Sequence, residues 1–139
     1  MSLSDNFTLH ELVNTSVPDG IVDNLRSITT EQLSNLLSLC TFLQYLRSAF
    51  QVPIKINSAF RSPHVNSSVG GVPTSNHLKG LAADLAFTWS DSKQSDILNF
   101  LFKCKSTGLL TEVIKYTSFV HIAIHPEHVE DKKYYPLPF

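Results

Sequence analysis

Between Leu33 and Leu46 the apolar residues Leu33, Leu36, Leu37, Cys40, Leu43, Tyr45 and Leu46 recur every three or four positions, the spacing of a buried helical stripe. Thr29-Thr30-Glu31-Gln32 stands just before them and offers capping side chains, so a long helix starts there and forms the main rod of the fold. A shorter helix is predicted from Phe7-Thr8-Leu9-His10-Glu11-Leu12, where Thr8 and Glu11 have capping-box spacing; Asp19-Gly20 breaks it. Pro53-Ile54-Lys55-Ile56-Asn57-Ser58 alternates apolar and polar residues as a half-buried strand does, and residues 83–87 fit another. A long polar loop punctuated by Gly70-Gly71 and Pro73 joins the two strands. Residues 91–105 fit a third helix, with Ile97, Leu98, Leu101 and Phe102 inward, Lys103 and Lys105 in its last turn and Gly108 just past it. Residues 112–116 and 119–124 read as a hairpin, and Tyr134-Tyr135-Pro136-Leu137-Pro138-Phe139 as an irregular tail. These elements predict an α+β fold with an antiparallel sheet.

Composition narrows the class. A chain of 139 residues, 42% hydrophobic and 17% charged, buries one sizeable core, so residues 1–139 are expected to form a single domain. The net charge of -1, with Lys and Arg scattered, argues against nucleic acid or an anionic membrane as partner. Cys40 and Cys104 fall inside apolar helical patterns and read as core thiols rather than a disulfide or metal ligands. Met1-Ser2-Leu3-Ser4-Asp5-Asn6-Phe7 has no basic start with an apolar run, and no stretch is long enough to span a bilayer. The expectation is a soluble monomer, cytoplasmic on synthesis, without a signal peptide or membrane insertion.

Candidate chemistry is concentrated in two places. Ser75-Asn76-His77-Leu78-Lys79-Gly80-Leu81-Ala82-Ala83-Asp84 holds a histidine and an aspartate seven apart, and Phe119-Val120-His121-Ile122-Ala123-Ile124 holds a second histidine. Strand alternation gives Val120, Ile122 and Ile124 to the core and offers His121 to the opposite face beside the small Ala123. Asp84 opens an apolar strand, where an unpaired carboxylate is costly to bury and a cation offsets the cost. Two imidazoles and one carboxylate are the ligand set of a catalytic zinc site, which keeps its fourth position for water or substrate. Spacing alone leaves a structural role open, with Asp84 capping a turn and His121 a satisfied partner in a sheet.

The segment from Ser75 to Asp84 resembles the S-x-H-x-x-G-x-A-x-D signature of the zinc D-Ala-D-Ala carboxypeptidase family, relatives of the vancomycin-resistance dipeptidase, phage cell-wall endopeptidases and the hedgehog signalling domain. Ile56-Asn57-Ser58-Ala59-Phe60-Arg61-Ser62-Pro63 is similar to that family's strand ending in S-G-Y-R-S-P, with Ala59 for glycine and Phe60 for tyrosine. Phe119-Val120-His121 looks like its W-x-H element with phenylalanine for tryptophan, and Phe7-Thr8-Leu9-His10-Glu11-Leu12 is similar to the opening of short phage-type and bacterial members. The resemblance implies a hedgehog/DD-peptidase-like fold, a central antiparallel sheet with helices packed on one side. It implies a Zn2+ site of His77, Asp84 and His121, and a metallopeptidase that hydrolyses peptidoglycan stem peptides through a metal-activated water. A D,D-carboxypeptidase, an endopeptidase and a phage lysis enzyme all fit. Arg61 matches the family arginine that contacts substrate, and Ser75 the serine near the metal.

The acidic base departs from the pattern. Active relatives resembling this chain carry an acid in E-x-x-H, where Ser118 stands here. Others carry it at the end of the preceding strand, in sequences resembling F-D-Q-L-I-Y-E, which puts Tyr116 at the glutamate. Glu112 is the nearest acidic candidate, and alternation lets it serve only if the face it shares with Ile114 and Tyr116 lines the cleft. Glu127, Glu130 and Asp131 follow the last strand in a run with Lys132 and Lys133 that reads as a solvated loop. A zinc-stabilised binding module without hydrolytic activity is the alternative reading.

Overall fold

The computed structural model describes residues 2–138; Met1 and Phe139, the two ends of the expected 1–139 domain, lie outside the described residues. Helix α1 (Leu9–Val13) starts at Thr8 through a complete capping box, in which Glu11 N donates to Thr8 Oγ1 at 3.3 Å and Thr8 N to Glu11 Oε1 at 3.2 Å. Helix α2 (Gly20–Ser27) lies where the sequence predicts only a break. Asp19 adopts the left-handed conformation, φ 59°, and turns the chain straight into the new helix. Buried Asn24 then ties α2 to its neighbours. Its Nδ2 donates to the carbonyls of Val13 at 2.8 Å and Phe60 at 3.2 Å, and its Oδ1 accepts from Ser62 N at 2.7 Å.

Helix α3 (Thr30–Phe50) is the predicted rod, capped by Thr29 and Gln32. Its buried stripe runs through Leu36, Leu39, Cys40, Phe42, Leu43, Leu46 and Phe50, and leaves Leu37 outside. Strand β1 (Ile56–Ser58) is only the end of the predicted segment. The polar loop after it contains a second unpredicted helix, α4 (Pro63–Ser68), with Pro63 in the first turn and Ser62 Oγ accepting from Val65 N at 3.1 Å. Strand β2 (Ala82–Ala86) leads to α5 (Asp91–Thr107), which Gly108 ends at φ 86°. On α5 the inward face is Ile97, Phe100, Leu101 and Cys104, so Phe102, five positions after Ile97, faces outward and is 44% exposed. Strands β3 (Leu110–Lys115) and β4 (Phe119–Ile124) form the hairpin, and one 3-10 turn, Lys132–Tyr134, interrupts the tail.

The sheet runs β1-β2-β4-β3 with every neighbouring pair antiparallel. Ala83, Leu85, Val113, Val120 and Ile122 join the buried stripes of α3 and α5 in one hydrophobic cluster. The α+β expectation, with helices on one side of a central antiparallel sheet, holds. Alternation leaves Asp84, Glu112, Ile114, Phe119 and His121 to the other face.

Candidate metal centre

Sheet register sets the first two donors side by side. Asp84 in β2 pairs with His121 in β4, so both side chains leave the same face at one level, with Ile114 of β3 beyond His121. His121 Nδ1 lies 2.9 Å from Asp84 Oδ1.

The third donor comes from a turn held against the rest of the molecule. Leu78, Lys79 and Gly80 donate backbone hydrogen bonds to Ser75, Asn76 and His77, and the Ser75 hydroxyl accepts from His77 N at 3.1 Å. Helix α3 grips this turn through Gln32 Nε2, which donates to Leu78 O at 3.1 Å, and Asn35 Nδ2, which donates to Lys79 O at 2.9 Å. Gly80 has φ +75° and lies so close to α3 that a Cβ there would stand 2.6 Å from the Gln32 carbonyl oxygen. Only glycine satisfies both conditions. The result buries His77 and aims its Nε2 at Asp84 Oδ1, 3.2 Å away.

The donor atoms of His77, Asp84 and His121 lie within 4.8 Å of one another. Proton accounting shows what they lack. His77 Nδ1 stands 2.6 Å from the Ala59 carbonyl and His121 Nε2 stands 2.9 Å from Glu112 Oε1. Both partners are acceptors, so each ring carries a proton on its outer nitrogen. In a neutral ring the inner nitrogen then presents a lone pair to a carboxylate oxygen, an arrangement that requires a positive charge between them. A proton on His121 supplies it in the metal-free protein and a divalent cation can take its place, since two imidazole nitrogens with one carboxylate oxygen are a donor set that zinc accepts. The ionisation tendencies carry the same sign. Burial opposes charge on Asp84, but hydrogen bonds to His121 and His77 outweigh it and hold the carboxyl far below the usual carboxylate range. Burial likewise opposes charge on His121, and hydrogen bonds to Asp84 and Glu112 reverse it and raise the imidazole above its ordinary value.

The cleft around these groups has a volume of about 450 Å³. Arg61, Ser75 and Glu112 all line it, together with Asn76, Ile114, Tyr116 and Phe119. The face of β3 that carries Glu112 is therefore a wall of the cleft. Arg61 is anchored at three nitrogens, with Nε donating to Ser58 Oγ at 2.9 Å, one terminal nitrogen to Asn66 Oδ1 at 3.3 Å and the other to Asp84 Oδ2 at 3.4 Å. Burial lowers the guanidinium below its ordinary value, against the pull of Asp84. On Glu112, burial opposes charge while hydrogen bonds to His121 and Asn76 favour it, and the net direction is down. Tyr116 stacks on Phe119, ring centroids 4.6 Å apart, and forms an aromatic rim. His64, exposed on α4, lines a separate hollow with Pro18, Asp19 and Arg26.

Two asparagines, Asn76 in the cleft and Asn66 bonded to Arg61, are not foreseen from the sequence. Asn76 Nδ2 donates to Glu112 Oε1 at 2.9 Å, and buried Asn66 joins Arg61 to the loop, its Nδ2 donating to Val72 O at 2.9 Å. Asn76 stands between the two motif residues Ser75 and His77, which is the single hint the sequence offers for it.

No curated protein matches the chain. A sequence model of the peptidase M15 family matches residues 5–123, a span that includes every side chain lining the centre. With most of its length matched, this chain belongs to the peptidase M15 family, whose members are zinc-dependent peptidases.

Proposed function

We propose that the protein is a zinc metallopeptidase acting on peptidoglycan stem peptides, as a D,D-carboxypeptidase or an endopeptidase, with His77, Asp84 and His121 as the metal ligands. The observation that carries this reading is the convergence of two inward imidazole nitrogens on one buried carboxylate in the wall of an open cleft. When bound there, zinc supplies polarisation of a peptide carbonyl and a lowered pKa for water in its open position.

The chain's own residues provide the rest. Arg61, fixed by Ser58, Asn66 and Asp84, retains one further N–H on each terminal nitrogen, enough to pair with a substrate carboxylate or a developing oxyanion. Ser75 accepts from His77 N and keeps its own O–H for a substrate carbonyl. Ile114, Tyr116 and Phe119 give the cleft an apolar side suited to small alkyl groups such as those of alanine. No helix of the described residues is long and apolar enough to cross a membrane. A monomer reaching the wall after release, as a phage lysis enzyme does, fits this picture.

A second reading is supported by the acid positions. Ser118 and Tyr116 stand where active relatives resembling this chain carry glutamate, which favours a zinc-stabilised module that binds wall peptide without cutting it. One experiment separates the two. Zinc-loaded protein is incubated with purified peptidoglycan, and the soluble and insoluble products are resolved by mass spectrometry. Loss of terminal alanine or of cross-links, abolished by a chelator and restored by zinc, is the expected result. Stoichiometric zinc with unchanged wall chemistry would favour the binding module, and protein that takes up no zinc would overturn both readings.

A further inference from the structure

We infer that Glu112, held in place by Asn76, is a positioning residue that fixes the proton and the ring angle of His121, and thereby sets how tightly the centre takes zinc. The inference rests on the zinc reading above.

The two nitrogens of His121 point away from each other across the ring. Nδ1 faces Asp84 Oδ1 and Nε2 faces Glu112 Oε1, each at 2.9 Å. An ionised carboxylate only accepts, so Glu112 keeps the proton on Nε2 and frees the Nδ1 lone pair toward the other two donors. The set of mutually close donor atoms contains His77, Asp84 and His121 and does not extend to Glu112. Its carboxylate stands behind the ring, on the edge away from the centre.

Asn76 makes this a held arrangement. Its Nδ2 donates to the same Oε1 at 2.9 Å, so that oxygen receives two hydrogen bonds and fixes the plane in which the imidazole lies. Asn76 is the residue before His77. The turn that presents one ligand therefore also steadies the support of another, across the junction between loop and sheet. A base role, the one suggested by its place in the sequence, needs a carboxylate oxygen on the side of the ring that faces the centre, whereas both donors hold Oε1 at the opposite edge. A carboxylate behind a ligating histidine is a recurrent device for orienting the ring and strengthening it as a donor.

The test is the zinc dissociation constant, measured by competition with a chromophoric chelator, for wild type, Glu112→Gln, Glu112→Ala and Asn76→Ala. Glu112→Ala should weaken zinc about 10–100-fold, while Glu112→Gln, whose amide oxygen accepts the same bond, stays within about threefold of wild type. Asn76→Ala should fall between them. At saturating zinc, any wall hydrolysis lost in Glu112→Ala should return, whereas a lost base would leave turnover abolished with zinc binding intact. Unchanged affinity in Glu112→Ala and Asn76→Ala overturns the inference. If Glu112→Ala does not fold, unchanged affinity in Asn76→Ala overturns it alone. Wild type that binds no zinc is a different outcome and defeats the zinc reading itself.

Discussion

Asn66 joins Arg61 to the following loop. Its side chain accepts from Arg61 and donates to Val72 O, while its backbone carbonyl accepts the Gly71 N–H at 2.8 Å. Replacing it by alanine takes the acceptor from one terminal nitrogen of the part-buried Arg61 guanidinium, while Val72 O keeps its bond from Ser75 N, so Asn66→Ala should cost about 1–3 kcal/mol in urea unfolding. The cysteines behave differently. Cys40 and Cys104 are buried free thiols, and burial pushes Cys104 up to about 12. Neither should react with a disulfide reagent at neutral pH until urea unfolds the chain; fast labelling of the native protein would contradict the core assignment. Residue by residue, the ligand candidates were legible because alternation in β4 and the motif around His77 depend only on local order. Asn66 and Asn76 were not, because their partners Arg61, Val72 and Glu112 are set by how loop and sheet meet.

Elements were readable where local chemistry decides them. Both capping boxes, at Thr8 and Thr29, stand at the helix starts the sequence predicts, and Gly108 ends α5. Thr29→Ala should lower stability by about 1 kcal/mol, measured by the same urea titration. Two helices could not be read. In α2 the entry Asp19-Gly20 looks like a turn, and its anchor is Asn24, a polar residue whose three bonds all go to other segments. In α4 the sequence Pro-His-Val-Asn-Ser-Ser has no apolar stripe, and Ser62 with Asn66 holds it instead. The face of α5 differs from the expectation at Phe102 because the buried stripe steps by three and four through Ile97, Phe100, Leu101 and Cys104, and Phe102, five positions after Ile97, falls outside it. Phe100 is the aromatic that fills the core, meeting Phe50 edge-on at 5.5 Å, so Phe100→Ala should cost about 3–5 kcal/mol where Phe102→Ala costs far less.

For the molecule as a whole, His121 and Asp84 make stability depend on pH in one way without metal, and zinc binding in the opposite way. In the metal-free protein His121 is raised, so its contribution is complete below the ordinary imidazole value of 6.5 and lost as pH rises through the folded value. Asp84 is lowered, so its contribution is present above the ordinary 3.8 and lost as pH falls through the folded value. Metal-free protein should therefore be most stable in mild acid. Zinc requires unprotonated imidazoles, so the stabilisation it adds should grow between about pH 5 and pH 8. Urea midpoints with and without zinc across that range check both slopes; parallel curves would contradict the ligand assignment. The same architecture has a consequence for assembly of the chain. Asp84 and His121 are brought together by strand pairing and His77 by the grip of α3 on its turn, so no early fragment of the polypeptide can offer all three donors. Cobalt added to refolding protein should colour only those molecules whose hairpin and rod have both docked, which turns the centre into a stopwatch for the last step of folding.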